Sequence, residues 1–129
     1  MCPKLWNMAE KTYTDMIHDV AIAIQGLLKG MAISKVREIA NTCHNFKIGK
    51  TGETLDERKN QPDYKDAYHN IKEVYSSTNS RDVDDIEAEL IKKFIFYPNC
   101  DNIKDGFTSH SDPMREGAEK YVVYVVWNN

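Results

Sequence analysis

Apolar residues in the N-terminal third of the chain recur at the spacing of an α-helix. This pattern predicts an amphipathic helix over residues 9–29, and Gly30 directly after it is typical of a helix end. A second, shorter helix with its own apolar face is expected next, with Asn45 near its end. Residues 1–45 are therefore expected to form an N-terminal helical hairpin. The apolar positions of the two helices are Tyr13, Met16, Ile17, Val20, Ala21, Ile24, Leu27 and Leu28, then Val36, Ile39, Ala40 and Cys43.

From Phe46 onward, strand-like and helix-like segments alternate. The segment "FKIGK" resembles a strand, and the capping box of Thr54 and Glu57 predicts a helix that opens at residue 55 and carries Arg58. Pro62 limits the length of that helix. Further strands are expected over residues 70–77 and in "KYVVYVVW" (120–127), with a helix over 81–96 and a polar loop through residue 113. The chain is thus expected to be an α+β protein, one compact unit with a second part over residues 46–129.

A carboxylate stands where the third helix should present an apolar side chain. At about 100° per residue, Glu87 falls inside the apolar stripe of that helix, whereas Glu89 lies well round the helix. Burying a polar group without compensation costs roughly 2–7 kcal/mol, and a charge costs more. Glu87 therefore needs a partner, which is either Arg58 or a lysine in a salt bridge, or a divalent metal ion in a cleft. The stripe consists of Val83, Ile86, Leu90, Phe94 and Tyr97.

Composition and charge narrow the class of protein. With 129 residues, 41% hydrophobic and 29% charged, the chain fits one soluble domain, and no apolar run is expected to be long enough to cross a bilayer. The first residues do not have the pattern of a secretory signal, so a cytoplasmic protein without a membrane partner is expected. The net charge of −3 means that nucleic acid would have to bind a local basic surface.

The cysteines favour free thiols. Cys2, Cys43 and Cys100 are odd in number and widely spaced, as expected in a reducing compartment rather than in a disulfide framework. A zinc site could be drawn from Cys43, Cys100 and two histidines, His44 and His110. Their spacing matches none of the paired-ligand patterns of structural zinc, so no zinc site is expected.

Four fragments in order resemble a known enzyme family. They are "KIGKT", an arginine nine positions after Gly49, the segment "EAELIKK", and an asparagine shortly afterwards. Over residues 46–103 this order resembles the GIY-YIG nuclease superfamily, and "EAELIKK" is especially close to its bacterial excision-repair member. The resemblance implies a small antiparallel sheet of about three strands flanked by helices. Lys47 replaces the tyrosine of the Y-I-G motif, as in the K-I-G-x-T phage-type branch.

The resemblance also implies roles for individual residues. Arg58 would contact the scissile phosphate, since a guanidinium stays charged and offers paired donors to phosphate oxygens. Glu87 would be the single carboxylate that holds Mg²⁺ or Mn²⁺. Asn99 or Asn102 would be the asparagine that supports the site, with Asn102 preferred. The positions expected to turn the strand or to bind phosphate are Gly49, Lys47, Lys50 and Lys59.

Two departures from the family pattern carry expectations of their own. No G-I-Y strand precedes Phe46, so the C-terminal strand is expected to supply it, which would make the chain a circularly permuted version of the fold. The family tyrosine that positions or deprotonates the attacking water is replaced by Lys47, which could bind phosphate but is a poor base. Tyr124 or Tyr121 would inherit that role.

The expected function is metal-assisted hydrolysis of phosphodiester bonds in nucleic acid, with DNA as the expected target. The acidic start of the third helix argues against nucleic-acid binding. The alternative is therefore a catalytically inactive protein of this fold that binds a partner, or a second copy of itself, through its N-terminal helices. A helix-turn-helix regulator ranks last, because only Lys35 and Arg37 lie on the second helix.

Overall fold

The computed structural model describes residues 3–102, 114 and 116–129, and for residues 3–11 it describes the backbone alone. Three helices and three strands make up these residues. They are α1 (Pro3–Thr42), β1 (Asn45–Thr51), α2 (Leu55–Lys59), β2 (Asn70–Ser77), α3 (Ser80–Phe94) and β3 (Tyr121–Asn128). The predicted α+β class is confirmed, and each strand lies where the sequence predicts it. Most of the predicted polar loop after Pro98 lies outside the described residues.

The sheet is built around its last strand. β3 lies between β1 and β2 and pairs antiparallel with both, in the order β1-β3-β2. Residues 121–126 of β3 are all buried. A strand covered on both faces can be apolar throughout instead of alternating, which explains the run of valines.

Helices cover one face of the sheet, which we call the α3 face. Phe46 and Ile48 of β1 and Val123 and Val125 of β3 belong to the main apolar cluster there. The helical members of the cluster come from α3 and from the C-terminal part of α1, and they are Val83, Leu90, Phe94, Ala32, Val36, Ile39 and Ala40. Glu87, the carboxylate that the sequence places in the apolar stripe of this helix, is also among the buried residues of α3.

A smaller aromatic cluster covers the opposite face, which we call the Tyr124 face. Val122, Tyr124 and Val126 of β3 pack there against Tyr64 and Tyr68. Both tyrosines belong to a helical turn after α2, in which the Tyr68 N–H donates to the Tyr64 carbonyl at 3.1 Å. Each face of the central strand is thus covered by a different segment of the chain.

The expected helical hairpin is wrong, because α1 is a single helix that continues through Gly30. Glycine ends a helix by adopting a positive φ, and Gly30 does not do so. A glycine inside a helix costs only about 1 kcal/mol relative to alanine. The residues from Ala32 onward pack on the sheet, and that burial keeps the helix continuous.

Residues 12–31 of α1 lie outside this packing. Its large apolar side chains from Tyr13 to Met31 are exposed. The expectation that no segment has the length for a membrane span is also wrong, because Thr12–Thr42 passes that test by length and composition. A single such helix near the N-terminus is weak evidence for a membrane, and the exposed apolar surface needs an explanation of its own.

Residues 99–102 complete the free edge of β1. The Phe46 N–H donates to the Asn99 carbonyl at 3.0 Å, and the Asp101 N–H donates to the Phe46 carbonyl at 2.7 Å. The buried Asn102 side chain accepts from the Ile48 N–H and donates to the Ile48 carbonyl, both at 2.9 Å. The Asn99 side chain donates to the Ala40 carbonyl at 2.9 Å. Both asparagines therefore hold β1 and the end of α1 in place.

Replacing Asn102 should show this role. Asn102→Ala leaves the buried N–H and carbonyl of Ile48 without these partners, and we expect a loss of about 1–3 kcal/mol in the free energy of unfolding. Urea denaturation measures it. Asn102→Asp should also destabilise, because its carboxylate accepts from the N–H but repels the carbonyl. Asn41→Ala, at an exposed position of α1, is the control and should change stability little. Equal stability of all three variants would contradict the assignment.

Candidate functional site

Tyr124 and Gly49 are opposite each other in the β1–β3 register. A Cβ atom at Gly49 would lie less than 3.0 Å from the hydroxyl, Cζ and Cε2 of Tyr124. The buried tyrosine ring thus crosses β1 where the strand has no side chain. Glycine in "KIGKT" is required by this close approach, and no positive φ is involved.

The arginine of α2 lies against this ring. Thr54 caps α2 as predicted, since its hydroxyl accepts the Glu57 N–H at 3.2 Å, and the helix places Arg58 over the Tyr124 face. Arg58 Nε donates to the Tyr124 hydroxyl at 3.0 Å. Its guanidinium carbon lies 3.9 Å from the centroid of the Tyr64 ring. The guanidinium is thereby held by one hydrogen bond and one aromatic face.

The outer nitrogens of the guanidinium bind a carboxylate. Arg58 Nη1 and Nη2 each donate to one oxygen of Asp63 at 2.9 Å, and Nη1 also donates to Gln61 Oε1 at 2.7 Å. The Arg58 side chain is only 16% exposed, while that of Asp63 is 55% exposed. The pair is the bidentate geometry that a guanidinium also offers to phosphate.

The pKa values follow from this network. The hydrogen bond from Arg58 lowers the pKa of Asp63. Burial lowers the pKa of Arg58, but the bond to Asp63 and the neighbouring tyrosines outweigh it, so the net pKa is raised. Burial, together with Tyr64, raises the pKa of Tyr124 well above its usual range. Tyr124 is therefore protonated at neutral pH and acts as a hydrogen-bond partner, which leaves it unsuited to the expected role of a base.

Lys47 and Tyr121 differ in their relation to this network. The ammonium of Lys47 lies 5.4 Å from the centroid of the Tyr64 ring, on the same face as Arg58. Tyr121 belongs to the apolar cluster of the α3 face, away from Arg58. Of the two tyrosines proposed to replace the G-I-Y tyrosine, Tyr124 is thus the one beside the arginine. Lys59 follows Arg58 at the end of α2 and is half-buried.

The carboxylate of Glu87 lies on the other side of β1. Glu87 is 6% exposed, and its Oε1 lies 3.8 Å from the ammonium of Lys50. The same ammonium donates to Asp84, one turn earlier on α3, at 2.5 Å. A salt bridge to a lysine, one of the two explanations derived from the sequence, is therefore present, and Arg58 is not the partner in it.

A metal ion remains compatible with this donor set. Mg²⁺ is usually held by one or two carboxylates, with substrate phosphates and water completing its coordination, and Glu87 with Asp84 offers two carboxylates at one place. Among the described residues, no three or more His, Cys, Asp or Glu side chains lie together so that they could hold a metal ion. Glu87 would thus hold an ion with the help of substrate oxygens rather than in an all-protein cage.

The nuclease hypothesis requires Arg58 and Glu87 to line one cleft within reach of one phosphate, and a single face of the sheet does not provide that cleft. Gly49 meets Tyr124, and the next residue, Lys50, meets Glu87. Consecutive residues of a strand point to opposite faces, so the contacts of Arg58 and Glu87 lie on the two sides of β1. A phosphate that touches both would have to lie across the end of β1. That the two side chains share one cleft stays a prediction.

Sequence reasoning missed the residues that hold the arginine. Gln61, Asp63 and Tyr64 lie between the helix predicted from residue 55 and the strand predicted over 70–77, where the sequence predicts no further element. A signal was present, because Tyr64 and Tyr68 have the i, i+4 spacing of a helical turn, and their rings pack edge to face at 5.5 Å. An acidic residue five positions after Arg58 was a further signal.

The cysteines do not form a recognisable metal site in the described part of the chain. Cys43 and Cys100 are free thiols, and Cys2 and His110 lie outside the described residues. Burial raises the pKa of Cys43, which favours the thiol over the thiolate that binds metals. Cys100 is buried, and its thiol contacts the Asn102 amide oxygen at 3.4 Å.

Comparison with known proteins adds no relative, since no protein-family model, no curated protein and no solved structure matches the chain. The resemblance to the GIY-YIG superfamily therefore depends on the motif residues and their arrangement alone.

The contact between Gly49 and Tyr124 can be tested by adding one methyl group. Tyr124 is bonded to both Arg58 and Tyr64 and cannot move aside freely. We therefore expect Gly49→Ala to lower the free energy of unfolding by about 1–3 kcal/mol. Gly26→Ala is the matched control, since a Cβ there meets nothing within 4 Å. It should stabilise α1 by about 0.5–1 kcal/mol, and a similar change in both variants would contradict the contact.

The pair of Arg58 and Asp63 predicts a pH dependence. Because its folded pKa is lowered from 3.8, ionised Asp63 stabilises the fold above that value, and the contribution is lost as the pH falls through the folded pKa. Asp63→Asn should therefore lower Tm at about pH 7 and approach the wild type only as the pH falls below 3.8, through the lowered folded pKa of Asp63. Asp66→Asn, exposed in the same turn, is the control. A Tm difference for Asp63→Asn that is constant with pH would contradict the assignment.

Proposed function

We propose that this protein is a metal-dependent endonuclease of the GIY-YIG type that hydrolyses phosphodiester bonds in nucleic acid, with DNA as the expected target. The fold would be circularly permuted, so that β3 supplies the missing strand. The observation that carries the proposal is the burial of Glu87 beside the "KIGKT" strand. A carboxylate among Val83 and Leu90 is costly to retain for packing alone, since an apolar residue would be at least as stable there. A role in binding a cation explains its presence.

The position of β3 supports the permuted arrangement. β1 pairs along its whole length with β3, and this pairing places Tyr124 opposite Gly49 of the motif. Tyr124 then accepts the Nε–H of Arg58. A tyrosine at the end of the chain thereby occupies the side of the glycine strand on which the motif arginine lies.

Arg58 has the form of a phosphate-binding group. Tyr124 and Tyr64 fix Nε and the plane of the guanidinium, and both outer nitrogens point to the exposed carboxylate of Asp63. A phosphate would take the place of Asp63 and receive the same two hydrogen bonds, because carboxylate and phosphate oxygens are both matched by the guanidinium fork. Until substrate arrives, Asp63 keeps the arginine paired.

In the proposed mechanism, the chain's own residues bind and orient the phosphate. Arg58 stabilises the negative charge that develops on the phosphate oxygens as water attacks, and Tyr124 positions Arg58. Lys47 adds positive charge on the same face. Glu87, with Asp84 beside it, would hold Mg²⁺ or Mn²⁺, and the ion would stabilise the leaving 3′ oxygen.

A second function is favoured by two observations. Asp63 occupies the binding nitrogens of Arg58, and Lys50 neutralises Glu87, so both charged groups are satisfied by the fold alone. The exposed apolar surface of α1 is suited to a partner. Both observations fit an inactive protein of the same fold that has kept the structure and binds a partner through α1.

Cleavage and metal binding distinguish the two functions. Plasmid DNA, single-stranded DNA and RNA are incubated with the protein and Mn²⁺. We expect nicking that falls by about 10²-fold or more in Glu87→Gln and Arg58→Lys, since each removes a charge or a fork acting on the transition state. Glu89→Gln is the control, as Glu89 is half-exposed on the same helix and pairs with Lys29 of α1.

Metal binding is measured separately by Mn²⁺ relaxation enhancement of water protons. The proposal predicts that Glu87→Gln weakens Mn²⁺ binding and that Glu89→Gln and Arg58→Lys do not. Equal nicking by the wild type and Glu87→Gln, or no cleavage of any of the three nucleic acids, would contradict the nuclease. The inactive binding protein would then be the better reading.

A further inference from the structure

The sheet and α3 do not cover residues 12–31 of α1. Apart from Lys29, every residue from 12 to 31 is exposed. Isolated apolar side chains on a surface need no explanation, but a contiguous apolar surface on this scale marks an interaction site in soluble proteins. The large apolar side chains exposed there are Tyr13, Met16, Ile17, Val20, Ile22, Ile24, Leu27, Leu28 and Met31.

Six of these side chains follow a heptad repeat. Gaps of four and three residues alternate between them, which is the spacing of the a and d positions in a coiled coil. Two isoleucines and Met31 take the a positions, whereas a tyrosine, a valine and a leucine take the d positions. We call this set the α1 seam, and it consists of Tyr13, Ile17, Val20, Ile24, Leu27 and Met31.

The α1 seam is distinct from the face by which α1 packs on its own domain. At about 100° per residue, Ala32, Val36 and Ile39 lie about 80–140° round the helix from the centre of the seam. Lys29, which forms an ion pair with Glu89 of α3, lies on the domain side. The seam is therefore a second apolar face of one helix, and the domain's own core does not account for it.

We propose that two copies of this chain associate through the α1 seam as a parallel two-stranded coiled coil. A heptad seam is complementary to a second copy of itself, and a β-branched residue at a with leucine at d, as at Ile24 and Leu27, favours two parallel helices. The positions that flank the seam carry no charged side chain, so two copies do not repel each other there. These positions hold Thr14, Met16, Ala21, Ala23, Leu28 and Gly30.

A bilayer fits the same surface less well. The uncharged run between Asp19 and Lys29 is nine residues, about 14 Å at 1.5 Å per residue, against about 30 Å of hydrocarbon. From Ala32 onward the helix is packed on the sheet and is not free to enter lipid. Helices that lie on membranes have a polar face rich in Lys and Arg, whereas this one carries Asp15 and Asp19.

The parallel arrangement has a consequence for the whole molecule. In each copy the sheet follows α1 in the chain. A parallel pair of α1 helices therefore places both copies of Arg58 and Glu87 at the same end of the dimer. This inference does not depend on the proposed nuclease activity, because it uses only the helix pattern and its exposure. A dimer without cleavage and cleavage without a dimer are both separate outcomes.

Two isoleucines provide a matched pair of variants. Ile22 and Ile24 are 56% and 51% exposed, but only Ile24 belongs to the seam. Sedimentation equilibrium of the full chain at about 50 µM should give a dimer, which a micromolar affinity suffices to populate. Ile24→Asp should weaken association by roughly 100-fold or more, since it places two like charges in a desolvated seam, while Ile22→Asp should not. Circular dichroism checks that both variants keep the fold.

Cross-linking tests the orientation. In a Cys2→Ser background, Leu27→Cys, at a d position, should form an interchain disulfide with its own copy under mild oxidation, and Ile22→Cys and the background chain should not. A monomeric wild type, or a dimer equally sensitive to both aspartates, would overturn the seam, and cross-linking equal in both cysteine variants would overturn the parallel pairing. Co-sedimentation of a monomeric wild type with phosphatidylserine vesicles would assign the surface to a membrane instead.

Discussion

The structure depends on β3, a strand buried on both faces and hydrogen-bonded along both edges. Without it, β1 and β2 have no common neighbour, since the order is β1-β3-β2. Its valines supply the centre of the main core on one face, while Tyr124 anchors the aromatic cluster on the other. Because β3 follows β1 by about 70 residues in the chain, its pairing is non-local, and loop closure makes such contacts slow to form. The sheet therefore assembles only when the two distant segments meet.

The charged groups around β1 are arranged in two layers by the same strand geometry. On the Tyr124 face, Arg58 is held by two tyrosines and forms an ion pair with the exposed Asp63. On the α3 face, the buried Glu87 forms an ion pair with Lys50. The two pairs differ in exposure. In the Arg58–Asp63 pair the acid is the more exposed group, whereas both members of the Lys50–Glu87 pair are nearly buried. Under the proposed function, a phosphate would take the place of the exposed Asp63, whereas a cation at Glu87 would have to compete with Lys50, which the fold already supplies.

The sequence predicts those parts of the structure that depend on local pattern. The three strands, the capped helix at Leu55 and the glutamate in an apolar stripe all follow from periodicity and capping, and the structure has each of them. The predicted helix end at Gly30 is wrong, because tertiary packing from Ala32 onward keeps α1 continuous despite a single glycine. A lysine is among the partners that the sequence predicts for Glu87, but the sequence does not show which lysine. The partners of Arg58 are not predicted, since its contact with Tyr124 joins positions 66 apart and needs the sheet order to be known. The strand alternation that separates Arg58 from Glu87 depends on that same order.

The composition of α1 makes a partner for it physically reasonable. A helix gains most of its stability in a protein from packing of an apolar face, not from intrinsic propensity. Gly26 and Gly30 each cost α1 about 1 kcal/mol relative to alanine, and neither is needed for close packing on the domain, since nothing lies within 4 Å of a Cβ at either position. The segment from 12 to 31 therefore combines two residues that weaken a helix with almost no contact to the rest of the fold. A helix in that situation is marginal alone, and burial of its seam is the contribution that would keep it formed.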